Sequence, residues 1–450
     1  MAILKKQRKK DLTETTVNRI LKILLIFFLI SNCSFNSNSK FWTKEENIEN
    51  EKKVLNKNAL FKKKKVVQKE FNSNLKIELK FDDILGNNLY NVNNEGIVDF
   101  STDLKKISKY KFSKIKNFDQ FQPDIIFNND NLIFFDSKGS IVKFDQNSDL
   151  LWKKNFYNKQ EKKNHPILFF AKNETTLIVA DSISKYYALN IKTGEILWTK
   201  YNNAPFISDI KINDDKFFVV DSNNVLSCIS ITDGTLIWQY KSENNIIKST
   251  KKISIVINKD KVIFNNSVGD ISALDINNGN LKWIITTGDK NTSIKPYLLK
   301  LSELVISKNS LIFSNNNNSF YSVNLANGLI NWTQNINSYL RPAIVNDFIF
   351  TVTNEGYLIV IDKTTGNIIR ITDIFDKFKI KQRTKIKPVG FVIGLENLYL
   401  STDNGKLLVI DVLTGRTNLI LKIDKNKISK PFISNNSLYL VKDDSIIRLK

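Results

Sequence analysis

The chain has 450 residues, is 42% hydrophobic and carries a formal net charge of +22, so it is long enough to bury a large core. It holds one histidine, His165, and two cysteines, Cys33 and Cys228, which argues against a His/Cys zinc site and leaves no pattern for Cys-His catalysis. Its lysines are scattered between predicted strands rather than gathered with aromatics, so no nucleic-acid partner is predicted, and no metal or cofactor site is legible.

The first segment is basic, "MAILKKQRKK", and is followed by an uncharged apolar run, Ile23–Ile30. That run spans about 12 Å as a helix, short of the roughly 20 apolar residues of a membrane span. It reads as a signal peptide. Where the apolar run stops, Ile30-Ser31-Asn32-Cys33 resembles the lipobox of bacterial lipoproteins, although Asn32 stands where Gly or Ala is usual. Cys33 is the predicted lipidation site, and the alternative is an ordinary signal peptide with a chance cysteine. Acyl chains at about 0.8 kcal/mol per buried CH₂ would hold the protein on a membrane, and Ser34 after the cysteine points to the outer one. Residues 34–74 are polar and charged, with a basic block at Lys62–Lys65, and read as a flexible tether. Trp42 within them has no assigned role.

From about residue 75 the chain becomes a β-repeat. "ALNIKTGEILW" (Ala188–Trp198) returns as "CISITDGTLIW" (Cys228–Trp238), "ALDINNGNLKW" (Ala273–Trp283) and "SVNLANGLINW" (Ser322–Trp332). Degraded copies follow at Val360–Arg370 and Val409–Leu419, and an upstream copy ends at Trp152. The turn glycines Gly194, Gly234, Gly279, Gly328, Gly366 and Gly415 are spaced by 40, 45, 49, 38 and 49 residues, the range of a four-stranded propeller blade. Four residues before each glycine stands Asn190, Ser230, Asp275, Asn324, Asp362 or Asp411, a short polar side chain able to bond its own turn. The tryptophans are predicted spacers between neighbouring blades, and Cys228 a small core residue. His165 is predicted to face solvent in a loop.

The last copy, Ser437–Lys450, is only half a repeat. A radial array must close or leave strand edges exposed. The missing strand is predicted from the N-terminal side, with "LKIELKF" (Leu75–Phe81) as the candidate. The expected fold is therefore all-β: an eight-bladed β-propeller of four-stranded antiparallel blades over residues 75–450, with seven blades as the alternative.

The motif Ala-Leu-Asn/Asp-x-x-x-Gly-x-x-x-Trp resembles the PQQ-type propeller repeat. Such an array behind a lipoprotein signal resembles the BamB family of outer-membrane protein assembly lipoproteins. The resemblance implies a non-catalytic scaffold on the periplasmic face of the outer membrane, binding the BamA-type insertase and aiding delivery of unfolded barrel proteins. The stretch matching one family interface loop is Ser242–Ser254, which implies Ile246 and Ile247 as apolar contacts and Lys248 as the basic one. A second matching stretch, Tyr297–Leu304, offers only Glu303 as an acidic contact. Two other readings compete: a propeller lipoprotein with a different envelope partner, and a PQQ-dependent dehydrogenase. Against the latter, the chain lacks the adjacent cysteine pair that those enzymes carry beside the quinone.

Overall fold

A short run of β-branched and aromatic residues between two tight turns is best satisfied by antiparallel pairing with its sequence neighbours, and each repeat folds that way. In the computed structural model the described residues are 69–79, 94, 99–116, 118–119, 121–243, 249, 251–287 and 299–450. Cys33, Trp42 and the predicted tether up to Gln68 lie outside them.

Among the described residues there are eight four-stranded antiparallel sheets. Blade 3 shows the rule: Lys211–Asn213, Lys216–Val220, Val225–Ser230 and Leu236–Lys241 pair in chain order, innermost first. Its second strand carries Phe217, Phe218, Val219 and Val220, all fully buried, because both faces of a blade pack against neighbours. The outer strand is largely exposed. Between the third and outer strands the register shifts at the same place in successive copies, at Ala188/Leu189, Cys228/Ile229, Ala273/Leu274, Ser322/Val323, Val360/Ile361 and Val409/Ile410. That bulge twists the outer strand and leads into the glycine turn.

The eighth blade is assembled from both ends of the chain. Phe432–Ser434, Ser437–Val441 and Ser445–Leu449 receive Lys106–Lys111 as their outermost strand, with Lys106 opposite Leu449 and Tyr110 opposite Ile446. The closing strand is thus not Leu75–Phe81. That segment alternates, but its described part lies as a strap on blades 6 and 7: Ile77 is 4% exposed and its N–H donates to Leu413 O at 3.0 Å. Alternation marks an extended segment with one buried side, but Lys106–Lys111 lacks it: its two apolar residues stand three apart, with Ile107 exposed and Tyr110 buried.

The tryptophans do separate the blades. Each ring lies over the turn glycine of the next blade: a Cβ added to Gly234 would stand 2.6 Å from the Trp198 ring, and one on Gly279 2.6 Å from Trp238. Both glycines also have positive φ, +70° and +74°, so a side chain is refused twice over. The indole N–H then finds a fixed partner, the carbonyl three residues before that glycine. Trp198 donates to Ile231 O at 2.8 Å, Trp283 to Leu325 O at 3.0 Å and Trp332 to Lys363 O at 3.0 Å. Where Arg370 replaces tryptophan, its guanidinium donates to the equivalent Val412 O at 3.1 Å. At Trp152 the equivalent carbonyl, Ile191 O, is taken by Lys143 Nζ at 2.9 Å, and the Trp152 N–H is left buried without a partner.

A candidate functional site at the channel mouth

The innermost strands surround the propeller axis, and those of successive blades touch. Strands alternate in direction within a blade, so every connection from one blade to the next enters at the same end of the channel. Just before the inner strands, at that end, come Asp124, Asp209, Lys252, Glu303, Arg341 and Lys430. They belong to blades 1, 3, 4, 5, 6 and 8.

These six side chains form one ionic chain across the axis. Lys252 Nζ lies 2.6 Å from Asp209 and 2.5 Å from Asp124. Lys430 Nζ lies 3.0 Å from Asp124 and 3.0 Å from Glu303, and Arg341 is 3.4 Å from Glu303. Each side chain is 20% exposed or less, so solvent screens these pairs far less than surface ones. Burial pushes the carboxyl of Asp124 up, but Lys252 and Lys430 outweigh it and hold it below its ordinary value. Glu303 likewise is desolvated and yet held well below the usual carboxylate range by Lys430 and Arg341. Lys252 is desolvated too, and Asp124 and Asp209 more than compensate, raising it. Gly390 makes room for the crossing: a Cβ there would stand 2.5 Å from Lys430 Cβ.

Two more lysines enter this network. Lys211 Nζ donates to Asn94 Oδ1 at 2.5 Å, and desolvation lowers its pKa to about 8. Lys251 donates to Tyr339 O at 2.5 Å and sits 5.2 Å from the centroid of that ring; desolvation lowers it to about 7. Beside blade 2 a small cavity is lined by Gln122, Asp124, Ile167, Phe169 and Asp209. Among the described residues no group of three or more His, Cys, Asp or Glu side chains is placed to hold a metal ion.

Ile246, Ile247 and Lys248 lie outside the described residues, as does Tyr297. The described flanks of their two stretches are neighbours: Ser249 Oγ donates to Leu299 O at 2.6 Å and Leu304 N–H to Ser254 Oγ at 3.0 Å. Glu303 is not presented as an outward acidic contact, since Lys430 and Arg341 engage it inside the channel. Cys228 is fully buried and burial pushes its thiol up to about 12, as befits a small core residue. His165 is not a free loop side chain: it is partly buried, at φ 49°, with Nδ1 2.9 Å from Ser137 O. The ionic chain was missed from the sequence. Its signal was there, a charged residue two or three positions before the inner strands of blades 1, 3, 4, 5, 6 and 8.

Comparison with known proteins agrees with the architecture. An uncharacterized protein of Rickettsia conorii is 23% identical over 377 residues, covering 80% of this chain and 89% of its own. One from Rickettsia prowazekii is 23% identical over 375 residues. The crystal structure of BamB from Moraxella catarrhalis superposes with a TM-score of 0.64 at 15% identity, covering 77% of this chain and 99% of that one. Quinohemoprotein alcohol dehydrogenase from Comamonas testosteroni reaches 0.60 at 8% identity, over 79% and 78%. At these identities the solved structures speak to fold alone. Residues 137–372, more than half of the chain, match the family described as outer membrane protein assembly factor BamB, and to that family this chain belongs.

Proposed function

We propose that the protein is a non-catalytic scaffold of outer-membrane β-barrel assembly, anchored through Cys33 on the periplasmic face of the outer membrane and binding a BamA-type insertase. The observation that carries this reading, beside family membership, is the hydrogen-bonded pairing of the two stretches matching the family's interface loops, through Ser249 and Leu299. They stand at one end of the channel, so a single partner could engage both. Ile246 and Ile247 would supply the apolar contacts on which interfaces depend, with Lys248 as a point charge in place of a bidentate arginine.

Delivery of unfolded barrel proteins would use the outer strand edges. Leu150, Leu151, Ile196, Leu197, Leu236, Ile237 and Ile330 are each more than 40% exposed on them. An extended segment can add to such an edge through backbone bonds, and blade 6 supports this with its own chain: Phe71 and Ile371 exchange both hydrogen bonds, at 3.1 and 2.9 Å. The dehydrogenase alternative has fold likeness in its favour, but the chain's cysteines, Cys33 and Cys228, are far from adjacent.

The test is Ile247→Asp in the full-length protein. Co-purification of the insertase should fall at least tenfold while the circular dichroism spectrum is unchanged. Undiminished co-purification would contradict the interface, and loss of the β-sheet spectrum would make Ile247 a core residue.

A further inference from the structure

One interblade connection concentrates charge. Between the outer strand of blade 6, which ends at Asp373, and the inner strand of blade 7, which begins at Pro388, residues 376–387 read "DKFKIKQRTKIK". Every second residue from Lys377 to Lys387 is basic, and Asp376 is the only acid. The chain as a whole carries 67 Lys and Arg in 450 residues, so a run in which half the residues are basic exceeds what composition supplies. The connection is held in a fixed shape. Phe378 and Ile386 are buried, and Phe378 packs edge-on against Phe375 with ring centroids 5.5 Å apart. Arg383 is the basic residue that turns inward: it pairs with Asp373 at 2.5 Å and donates to Phe378 O at 3.0 Å and to Asp376 O at 2.6 Å.

What this leaves outside is five lysines and an isoleucine. Lys377, Lys379, Lys381, Lys385 and Lys387 are exposed, and among the described residues none of them is ion-paired. Ile380, at 72%, is the most exposed large hydrophobic side chain among the described residues. A single apolar tip between flexible cations suits a surface that is anionic outside and apolar beneath, lipid headgroups over acyl chains. A folded protein partner would be met by a buried apolar centre several side chains wide. Lysine fits the lipid as well, since a point charge asks for no fixed bidentate geometry. The connection also leaves blade 6 beside the N-terminal strap: Asp373, which Arg383 holds, donates its N–H to Glu70 Oε1 at 3.1 Å. The segment that follows Cys33 therefore joins the propeller next to this basic run.

We propose that the 376–387 connection is a membrane contact: its lysines bind the headgroups of an anionic phospholipid surface, and Ile380 dips into the boundary of the acyl chains. This builds on the membrane location proposed above but needs neither acylation of Cys33 nor the insertase. Each lysine near such a surface contributes about fivefold in affinity. Together they would turn a tether into an orientation, with the rim of blades 6 and 7 towards the lipid.

The test uses the full-length protein with Cys33→Ser, so that no acyl chain contributes and a failure speaks of this surface rather than of the anchor. Ile380→Cys in that protein carries an environment-sensitive nitrobenzoxadiazole label, for which the fully buried Cys228 does not compete. Vesicles of equal parts phosphatidylglycerol and phosphatidylcholine should raise the dye emission and move it to the blue. Salt at about 0.5 M should reverse the change, because screening weakens such contacts. Lys379→Glu, Lys381→Glu and Lys385→Glu together should raise the lipid concentration at half-effect by about a hundredfold or more, with an unchanged circular dichroism spectrum. Lys192→Glu with Lys241→Glu, exposed lysines of blades 2 and 3, should leave it nearly unchanged. The proposal is overturned if the anionic vesicles leave the dye unchanged, if vesicles of phosphatidylcholine alone act as well, or if the control pair costs as much as the triple variant. It is overturned too if polyglutamate changes the emission and the vesicles do not, which would assign the surface to an acidic protein. Should the triple variant fail to fold, the comparison of the two vesicle compositions decides.

Discussion

At the scale of single residues the fold repeats one contact, an indole over the next blade's glycine. Trp238 packs on Gly279 and donates to Ile276 O at 3.3 Å. Trp238→Ala should therefore cost about 3–5 kcal/mol, read as a lower midpoint in urea unfolding. Gly279→Ala should also destabilise, since its Cβ would meet the Trp238 ring and its φ is left-handed. A gain in stability from either would remove the wedge from the account. The buried lysines make a second prediction. Lys211 holds its proton up to about pH 8 in the folded state and up to about 10.4 in the unfolded chain. Between those values the unfolded state binds more protons, so stability should rise with pH across that window. In Lys211→Met the rise should be smaller, by at most about 1.4 kcal/mol per pH unit, and urea titrations at pH 7.5 and 10 would measure it. The glycine, the tryptophan and the polar residue four positions before the glycine were all legible, because a local turn imposes them. Asp275 Oδ1, for example, accepts from Asn277 N at 3.0 Å. The substitutes were not. That Arg370 serves the carbonyl a tryptophan would serve depends on a residue 42 positions away.

At the scale of elements the sequence tells extended from helical but not what an extended segment pairs with. Leu75–Phe81 alternates and Lys106–Lys111, with Ile107 and Tyr110 three apart, does not, yet only the second closes the ring. The first belongs to a strap that explains the degraded sixth repeat. Arg370 lacks the tryptophan shape because it also donates to Leu413 O and to Leu75 O, fastening the strap into the seam. Glu70 adds an ion pair with Arg416 at 2.8 Å and accepts from Asp373 N–H at 3.1 Å. Arg370→Leu should free the strap while the blades stand: hydrogen exchange at residues 70–77 should accelerate at least tenfold, with blades 1–4 unaffected. Unchanged protection would mean that Arg370 serves the blade seam alone. Exposed edges elsewhere carry no such cover among the described residues, which leaves the outer strands as the surface that the proposed function would use.

At the scale of the whole molecule, the spacing announced seven repeats, because a blade of about forty residues is a property of the chain, and the eighth blade followed from the half repeat at the end and the need to close the ring. The channel network was hidden because its members are spread from Asp124 to Lys430 and meet only once the ring has closed. That closure relies on a single added strand. Tyr110, which is 1% exposed, pairs with Ile446 in it, so Tyr110→Pro should collapse the fold as a unit. The proposed function at this scale rests on what docks where the interblade connections gather. The most direct measurement is a detergent pull-down of the tagged full-length protein from its own membranes, with the bound proteins identified by mass spectrometry. The account predicts a BamA-type insertase enriched with the wild type and lost with Ile247→Asp. Enrichment of a different envelope protein, with the insertase absent, would contradict the assembly role and leave the propeller without it.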